Sequence, residues 1–587
     1  MRNNNWKLKE TSSSDDREKS FIEFKAEVRK LRDKIRLPDA IIKLLYMRGV
    51  DNYAKIHKYF KPTREKLYNP FDLKDAQTAA DRIIAAINNK ENVMVLGDYD
   101  VDGTCGVSMF YLFLKNFGIE PEVYIPDRID EGYGISFKSI DFAKEKNIDL
   151  VISIDCGITA VDKIKYANSL GIDFIICDHH QPPDVIPDAI AVLDPLRNDD
   201  TYPFQFLSGT GVAFKLIQAV CKQLDKNDYP FSLLDFVAIA TCSDIVPLID
   251  ENRILVNEGL AMINDSDKIR PSIKMLIEIS KITNPNISST NIVYSIAPRI
   301  NAVGRLGDAK RAVELMTSDK EEELKELAKV LNEVNNNRKE IDKTITENAI
   351  NICEQFFQEE NTNSLVVYNE EWHPGVIGIV AARLVEKFHL PSIVLTKVNG
   401  VAKGSARSIN GFNIYDALKQ CEDQLIQFGG HYHAAGLELE VSNVREFRKS
   451  FNEIASSTLT NEQLEPELFI DLELRFDDIT AQLVNILKYF EPFGPANMTP
   501  VFVTRDVQIV GEVREVKNNT LLFKVREYDP KSYSNVAFDC VFFSSDEYVK
   551  DIVPGKRCDL CYSIEKSIWR NTSTTKLRVR DAKFYYN

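Results

Sequence analysis

Between about residues 75 and 260, short unbroken apolar runs alternate with longer stretches whose apolar positions recur three and four apart. The runs, at 93–97, 122–125, 150–154, 173–177 and 190–193, predict strands buried on both faces; the intervening stretches predict helices. This alternation predicts a doubly wound α/β domain with a parallel sheet. Upstream, Leu37 to Pro62 reads as two short helices with Leu44, Leu45, Val50 and Ile56 on their apolar faces. Residues 1 to about 20 are polar and charged and are expected to be disordered.

Further along, Leu324, Leu327, Leu331, Val334, Ile341 and Ile345 form a heptad-like stripe on a long predicted helix. A dimerising coiled coil would show such a stripe. It is brief, however, and Arg338 interrupts it, so a helix linking two domains and packed on both is expected. A second α/β domain follows, with strands at 364–368 and 391–395. From 464 the apolar runs become short and close, at 500–503, 507–510, 521–525, 536–543, 558–564 and 576–580, the pattern of a small β-barrel of OB type. The resulting division is 1–74 for a disordered start and helical cap, 75–318, a linking helix at 319–361, 362–458, and 464–587.

The chemistry sits where the first set of strands ends. Val93-Met-Val-Leu-Gly-Asp-Tyr-Asp-Val-Asp-Gly103 finishes in three aspartates two apart. If the strand continued through them, Asp98, Asp100 and Asp102 would point the same way. Gly103 would then turn the chain into a helix. Such an acidic face needs a cation, and hard oxygen ligands suit Mg²⁺ or Mn²⁺; a solvated acidic turn is the alternative. Asp155 ends the next run, Asp178-His179-His180 another, and Ser243-Asp244 follows Ala240-Thr-Cys. Acids and imidazoles gathered at strand ends suit a dinuclear metal site.

Glycine-flanked loops, where they are not plain solvent turns, add candidate ligand contacts, and their arginines suit phosphate recognition. Ile125 to Gly134 carries Arg128 and Tyr133, and Ala297 to Gly307 carries Arg299, Asn301 and Arg305. Gly404 to Ser408 and Phe428 to Gly436 carry Ser405, Arg407 and His431. Lys576, Arg578 and Arg580 give one barrel strand a basic face, with Tyr562 and Trp569 nearby for base stacking.

Taken in order, the Asp-Tyr-Asp-Val-Asp-Gly, Asp-Cys-Gly, Asp-His-His and Ser-Asp segments resemble the four motifs of the DHH phosphoesterase superfamily. The glycine-glycine-histidine segment resembles that of the associated DHHA1-type domain. The chain is most similar to superfamily members that degrade single-stranded DNA. The resemblance implies two divalent ions, Mn²⁺ or Mg²⁺, held by Asp98, Asp100, Asp102, Asp155, His179 and Asp244, with Asp155 bridging. His180 would be a ligand or phosphate contact. It also implies 5′-to-3′ hydrolysis to 5′-mononucleotides in recombination and repair, with a single-strand-binding protein and a RecQ-like helicase as partners, and a monomer. Superfamily members often carry histidine where this chain has Leu96, which leaves one metal's ligand set open. Two rivals remain. A phosphodiesterase of short oligonucleotides or cyclic dinucleotides would not need the barrel, and an inactive DNA-binding scaffold would not need the full set of acids and histidines.

Composition limits the remaining possibilities. The chain of 587 residues is 44% hydrophobic and 27% charged, ordinary for a soluble multidomain protein. No apolar run approaches membrane-spanning length and the start is too polar for a signal peptide, so a cytoplasmic protein is expected. The net charge of −15 requires any DNA site to be a locally basic cleft. The 10 cysteines include Cys558-Asp-Leu-Cys561, which has no second pair and is expected to be structural rather than zinc-binding or redox-active.

Overall fold

The computed structural model describes residues 4–9, 15–30, 36–128, 130–359, 362–517, 519–528, 536–543, 548–569 and 572–585. Strands Val93–Gly97, Glu122–Tyr124, Leu150–Ile154, Asp173–Cys177 and Ala191–Leu193 form the expected parallel sheet. In spatial order the Glu122 strand lies at one edge, followed by the Val93, Leu150, Asp173 and Ala191 strands. Alternate side chains enter two cores. Val93, Val95 and Ile152 pack with Phe110, Val212 and Val237, while Met94, Leu96 and Val151 pack with Ile140 and Ile164. The strand order reverses between the Val93 and Leu150 strands, which opens a crevice at their carboxyl ends.

Helix Glu321–Glu359 links the two α/β units. Leu324, Ala328 and Leu331 join the core of the first, and Ile345, Ala349 and Cys353 join that of the second. Its stripe is thus used twice along its length, on different partners.

The second unit is a mixed sheet. Its strands lie in the order Gln427–His431, Ala434–Leu439, Val401–Arg407, Ser392–Val398, Leu365–Tyr368, and only the last two pair in parallel. Strands Phe502–Val516, Thr520–Glu527, Ala537–Phe542, Thr572–Phe584 and Arg557–Trp569 follow one another around a barrel, and the first pairs with the last to close it. The two runs expected at 500–503 and 507–510 belong to one long strand, whose pairing shifts register between Thr504 and Val507 and again between Val510 and Arg514. Those irregularities let a single strand turn the corner of a small barrel.

The start of the chain departs from expectation. Asn5–Leu8 is a strand, paired in parallel with Glu467–Ile470, and Trp6 Nε1 donates to Asp581 Oδ2 at 2.7 Å. The helices Asp39–Met47 and Tyr53–Phe60 share a core with the barrel through Ile42, Leu45, Ile56, Leu483, Phe490 and Phe502. Polar composition suggested disorder for the first residues because strand pairing uses main-chain groups, which composition does not report. Tyr562 is fully buried in the barrel and bonds Thr504 Oγ1 at 2.7 Å, so it cannot stack on a base. The side chain of Trp569 lies outside the described residues. Cys558 and Cys561 are free and buried in different apolar clusters, as a structural pair would be. No helix of the described residues is long and apolar enough to cross a membrane.

Candidate metal centre and cleft

The acids of the first segment are brought together in a way that strand periodicity does not describe. The strand stops at Gly97, and helix Val101–Asn116 begins three residues after Asp98. Asp100 is its N-cap; one carboxylate oxygen accepts from the amides of Asp102 and Gly103 at 2.9 and 3.1 Å. Asp102 lies in the first helical turn, and its carboxylate accepts from Gly209 N at 2.6 Å and Thr210 N at 2.9 Å. Gly103 serves close approach rather than a turn, because a Cβ there would lie 2.3 Å from the Asp98 carbonyl oxygen. Asp244 also differs from expectation: it ends helix Leu234–Ser243, not a strand.

Asp155, at the end of the central strand, has a left-handed backbone (φ 62°). Tyr133 fixes it by donating its hydroxyl to the Asp155 carbonyl at 2.7 Å. His179 Nε2 lies 3.1 Å from Asp155 Oδ1, 3.5 Å from Asp244 Oδ2 and 3.9 Å from Asp102 Oδ2. Asp98, Asp100 and Asp155 form a second group of adjoining ligand atoms beside that of Asp102, His179 and Asp244. Asp98 Oδ1, Asp155 Oδ1, His179 Nε2 and Asp244 Oδ2 are buried without a hydrogen-bond partner. Burial, then the neighbouring acids, pushes Asp98, Asp155 and Asp244 well above the usual carboxylate range. Burial pushes His179 down, favouring the neutral imidazole that ligates metal. Unpaired carboxylates around a neutral imidazole fit a divalent cation, which would neutralise the crowding and satisfy the orphaned atoms. Leu96 is fully buried in the strand and takes no part.

Asp178 is the organiser of the Asp-His-His turn. One oxygen accepts from the amides of His179 and His180 and lies 2.7 Å from His180 Nδ1; the other accepts from Ile158 N at 2.8 Å. Its interaction with His180 raises the His180 pKa against the effect of burial. His180 also lies 3.2 Å from the Tyr133 hydroxyl.

Around this cluster the cleft is basic. Arg128 covers the Tyr99 ring at 5.1 Å, and Arg305 donates to the Gly375 carbonyl at 3.3 Å. Burial first, and then Arg128 and Arg338, pushes Arg305 down to about 10. Arg407 is lowered by burial and by Arg128, and its Nη1 donates to Ser405 Oγ at 3.2 Å. His431 is lowered by burial and then by His433, Arg407 and His180. Desolvated cations that repel one another fit a bound polyanion. Arg299 stands apart. The segment 297–307 is helical (Ala297–Leu306), not a loop, and the Arg299 guanidinium bonds the carbonyls of Ser295 and Ile279 and the side chain of Asn332. Asn301 is half-buried on the same helix. Asp178 and Tyr99 stand inside the sequence motifs but were given no role of their own, and the Gly209 and Thr210 amides were missed, although the segment Ser208-Gly-Thr-Gly211 carries the signal of a glycine-rich helix start.

The sequence matches the DHH family N-terminal domain over residues 92–241, the DHHA1 domain over 361–457 and the RecJ OB domain over 470–581. The single-stranded-DNA-specific exonuclease RecJ of Bacillus subtilis is 36% identical over 557 residues, covering 94% of this chain and 69% of that protein. The Escherichia coli RecJ is 32% identical over 487 residues, covering 79% and 83% respectively. The fold matches the crystal structure of Thermus thermophilus RecJ in complex with Mn²⁺, with a TM-score of 0.82, 24% identity, and coverage of 100% of this chain and 81% of that one. A manganese-bound exonuclease RecJ matches over 65% of this chain and 95% of its own, with a TM-score of 0.57 and 30% identity. With all three domains matched and identity above 30% over most of both lengths, the chain belongs to the RecJ family, whose curated relatives are single-stranded-DNA-specific exonucleases.

Proposed function

We propose that this protein is a metal-dependent exonuclease that degrades single-stranded DNA from its 5′ end to 5′-mononucleotides. The observation that carries the reading is the convergence of four buried, unpartnered ligand atoms from Asp98, Asp155, His179 and Asp244 beneath a basic cleft. Asp98, Asp100, Asp102, Asp155, His179 and Asp244 would hold two divalent ions, Mn²⁺ or Mg²⁺. When bound, such ions supply Lewis acidity to the scissile phosphate and activate water. The chain's own residues do the rest. Gly209 and Thr210 amides fix the Asp102 carboxylate, Tyr133 fixes the Asp155 backbone, and Asp178 orients both histidines. His180, whose pKa Asp178 raises against burial, faces the cleft as a ligand beside Asp155 and His179 or as a phosphate contact. Arg128, Arg305 and Arg407, with Ser405 and His431, bind and orient the phosphates next to the cut. The barrel extends the contact along the strand, with Lys576, Arg578 and Arg580 on its basic strand.

By the same reading the protein acts in the cytoplasm as a monomer, in recombination and repair, alongside a single-strand-binding protein and a RecQ-like helicase. The test is mononucleotide release from single-stranded DNA labelled at either end, in Mn²⁺, with Asp155→Ala as control. Immediate release of 5′ label as mononucleotide, abolished in the variant, is the expected result. Release of the 3′ label first overturns the polarity. Cleavage restricted to short oligonucleotides overturns the assignment of substrate.

A further inference from the structure

Helix Asp250–Ile263 opens with Glu251-Asn252-Arg253, three polar residues all buried and all reaching in different directions. Glu251 accepts from Lys215, Tyr202 and the Tyr68 amide. Arg253 donates to the carbonyls of Tyr59, Tyr489 and Phe490, joining the helical cap and the barrel's approach. Asn252 is fully buried, and its Nδ2 donates to the Phe206 carbonyl and, at 3.0 Å, to the Pro247 carbonyl.

Those two carbonyls belong to the two loops that carry the metal cluster. Pro247 lies three residues after Asp244, in a loop where exposed Ile245 has φ 62°. A β-branched residue in that region is strained, so the loop holds its shape only if tied from outside. Phe206 leads into Leu207, whose carbonyl meets the His179 imidazole, and then to the Gly209 and Thr210 amides that grip Asp102. One carboxamide therefore spans the supports of Asp102, His179 and Asp244, the three residues that form one ligand group.

We propose that Asn252 is a positioning residue for the metal centre, its two N–H groups setting the distance between the loop of Asp244 and the loop that holds Asp102 and His179. Among side chains of this size an amide supplies both donors from one nitrogen, at the cost of leaving Oδ1 buried without a partner among the described residues; a carboxylate would repel both carbonyls, and alanine would remove both donors. The inference rests on the metal-dependent reading above.

The test is a Mn²⁺ titration of the full chain followed by the electron paramagnetic resonance of free Mn²⁺, without DNA. Alongside it, kcat and KM on single-stranded DNA and the Tm are measured. Asn252→Ala and Asn252→Asp are expected to weaken Mn²⁺ binding about tenfold or more, the range for losing a support of ligand geometry. The fall in activity should appear in kcat, with KM within about twofold of the wild type, and saturating Mn²⁺ should recover part of it. Asn252→Ser, which keeps one donor, should lie between. A folded variant that binds Mn²⁺ like the wild type overturns the proposal. So does unfolding of all three, since Asn252 would then be a core residue only. If the wild type itself binds no Mn²⁺, the metal-dependent reading fails instead.

Discussion

Tyr133 reaches across the cleft to hold the main chain of Asp155: its hydroxyl donates to the Asp155 carbonyl at 2.7 Å while its ring meets His180 edge-on, with centroids 5.5 Å apart. Asp155 needs this support because its backbone is left-handed without being glycine. Tyr133→Phe keeps the ring and removes the bond. The loss of one hydrogen bond to a strained carbonyl is about 1–1.5 kcal/mol, so kcat should fall about tenfold with KM little changed. A KM effect alone would make Tyr133 a substrate contact only.

Two arginines that look alike in the sequence should behave differently. Arg407→Ala removes a cleft cation whose hydrogen bonds among the described residues stay within its own strand, to Ser405 and Ala406, and should raise KM for single-stranded DNA about tenfold with Tm unchanged. Arg299→Ala removes bonds to two half-buried carbonyls and to Asn332, and should lower Tm by a few degrees while KM in the folded enzyme stays near wild type. Steady-state kinetics and thermal melts on both variants separate the two roles.

Metal binding should be linked to protons. Asp98, Asp155 and Asp244 are raised by burial and then by neighbouring acids, so the metal-free folded state keeps protons that an unfolded chain loses in the ordinary carboxylate range. Metal-free stability therefore falls as pH rises through that raised range. Mn²⁺ displaces those protons, so its affinity and its stabilising effect should grow with pH. Melts with and without Mn²⁺ at about pH 5.5 and about pH 8 test this linkage. An increment in Tm equal at both would contradict it.

The Lys215–Glu251 pair is fully buried, with Nζ 3.0 Å from the carboxylate. Lys215→Met strands a buried carboxylate and should cost about 3–5 kcal/mol. Adding Glu251→Gln should return much of that loss. Denaturant titrations of the two singles and the double close the cycle; additive losses would mean that the pair is not coupled.

The parallel sheet was legible because its strands are buried on both faces, so unbroken apolar runs mark them even without neighbours. The metal-ligand candidates were legible as residue types, but not in their geometry. Alternation placed Asp98, Asp100 and Asp102 on one face, whereas helix capping by Asp100 breaks the strand and the Gly209 and Thr210 amides pull Asp102 into the cluster from a distant segment. Arg299 was misplaced for a related reason. Gly304 and Gly307 suggested a loop, yet Pro298 fits the first turn of a helix and Gly304 is needed because a Cβ would lie 2.3 Å from the Tyr99 carbonyl oxygen. Asn252 carries no sequence signal at all; only the folded chain shows which carbonyls its amide meets.

The pairing of Asn5–Leu8 with Glu467–Ile470 joins groups that emerge from the ribosome far apart in time. Lys9 and its partner Asp471 are 462 residues apart in the chain. At about 5–20 residues per second, the first strand waits roughly half a minute to a minute and a half for its neighbour. Through that interval Trp6 has neither the Asp581 carboxylate nor the barrel wall, and the cap helices have only half of their core. Asn4, Asn5, Lys7 and Lys9 surround Trp6 with polar groups through that wait, so little apolar surface is exposed before the strand Glu467–Ile470 is made.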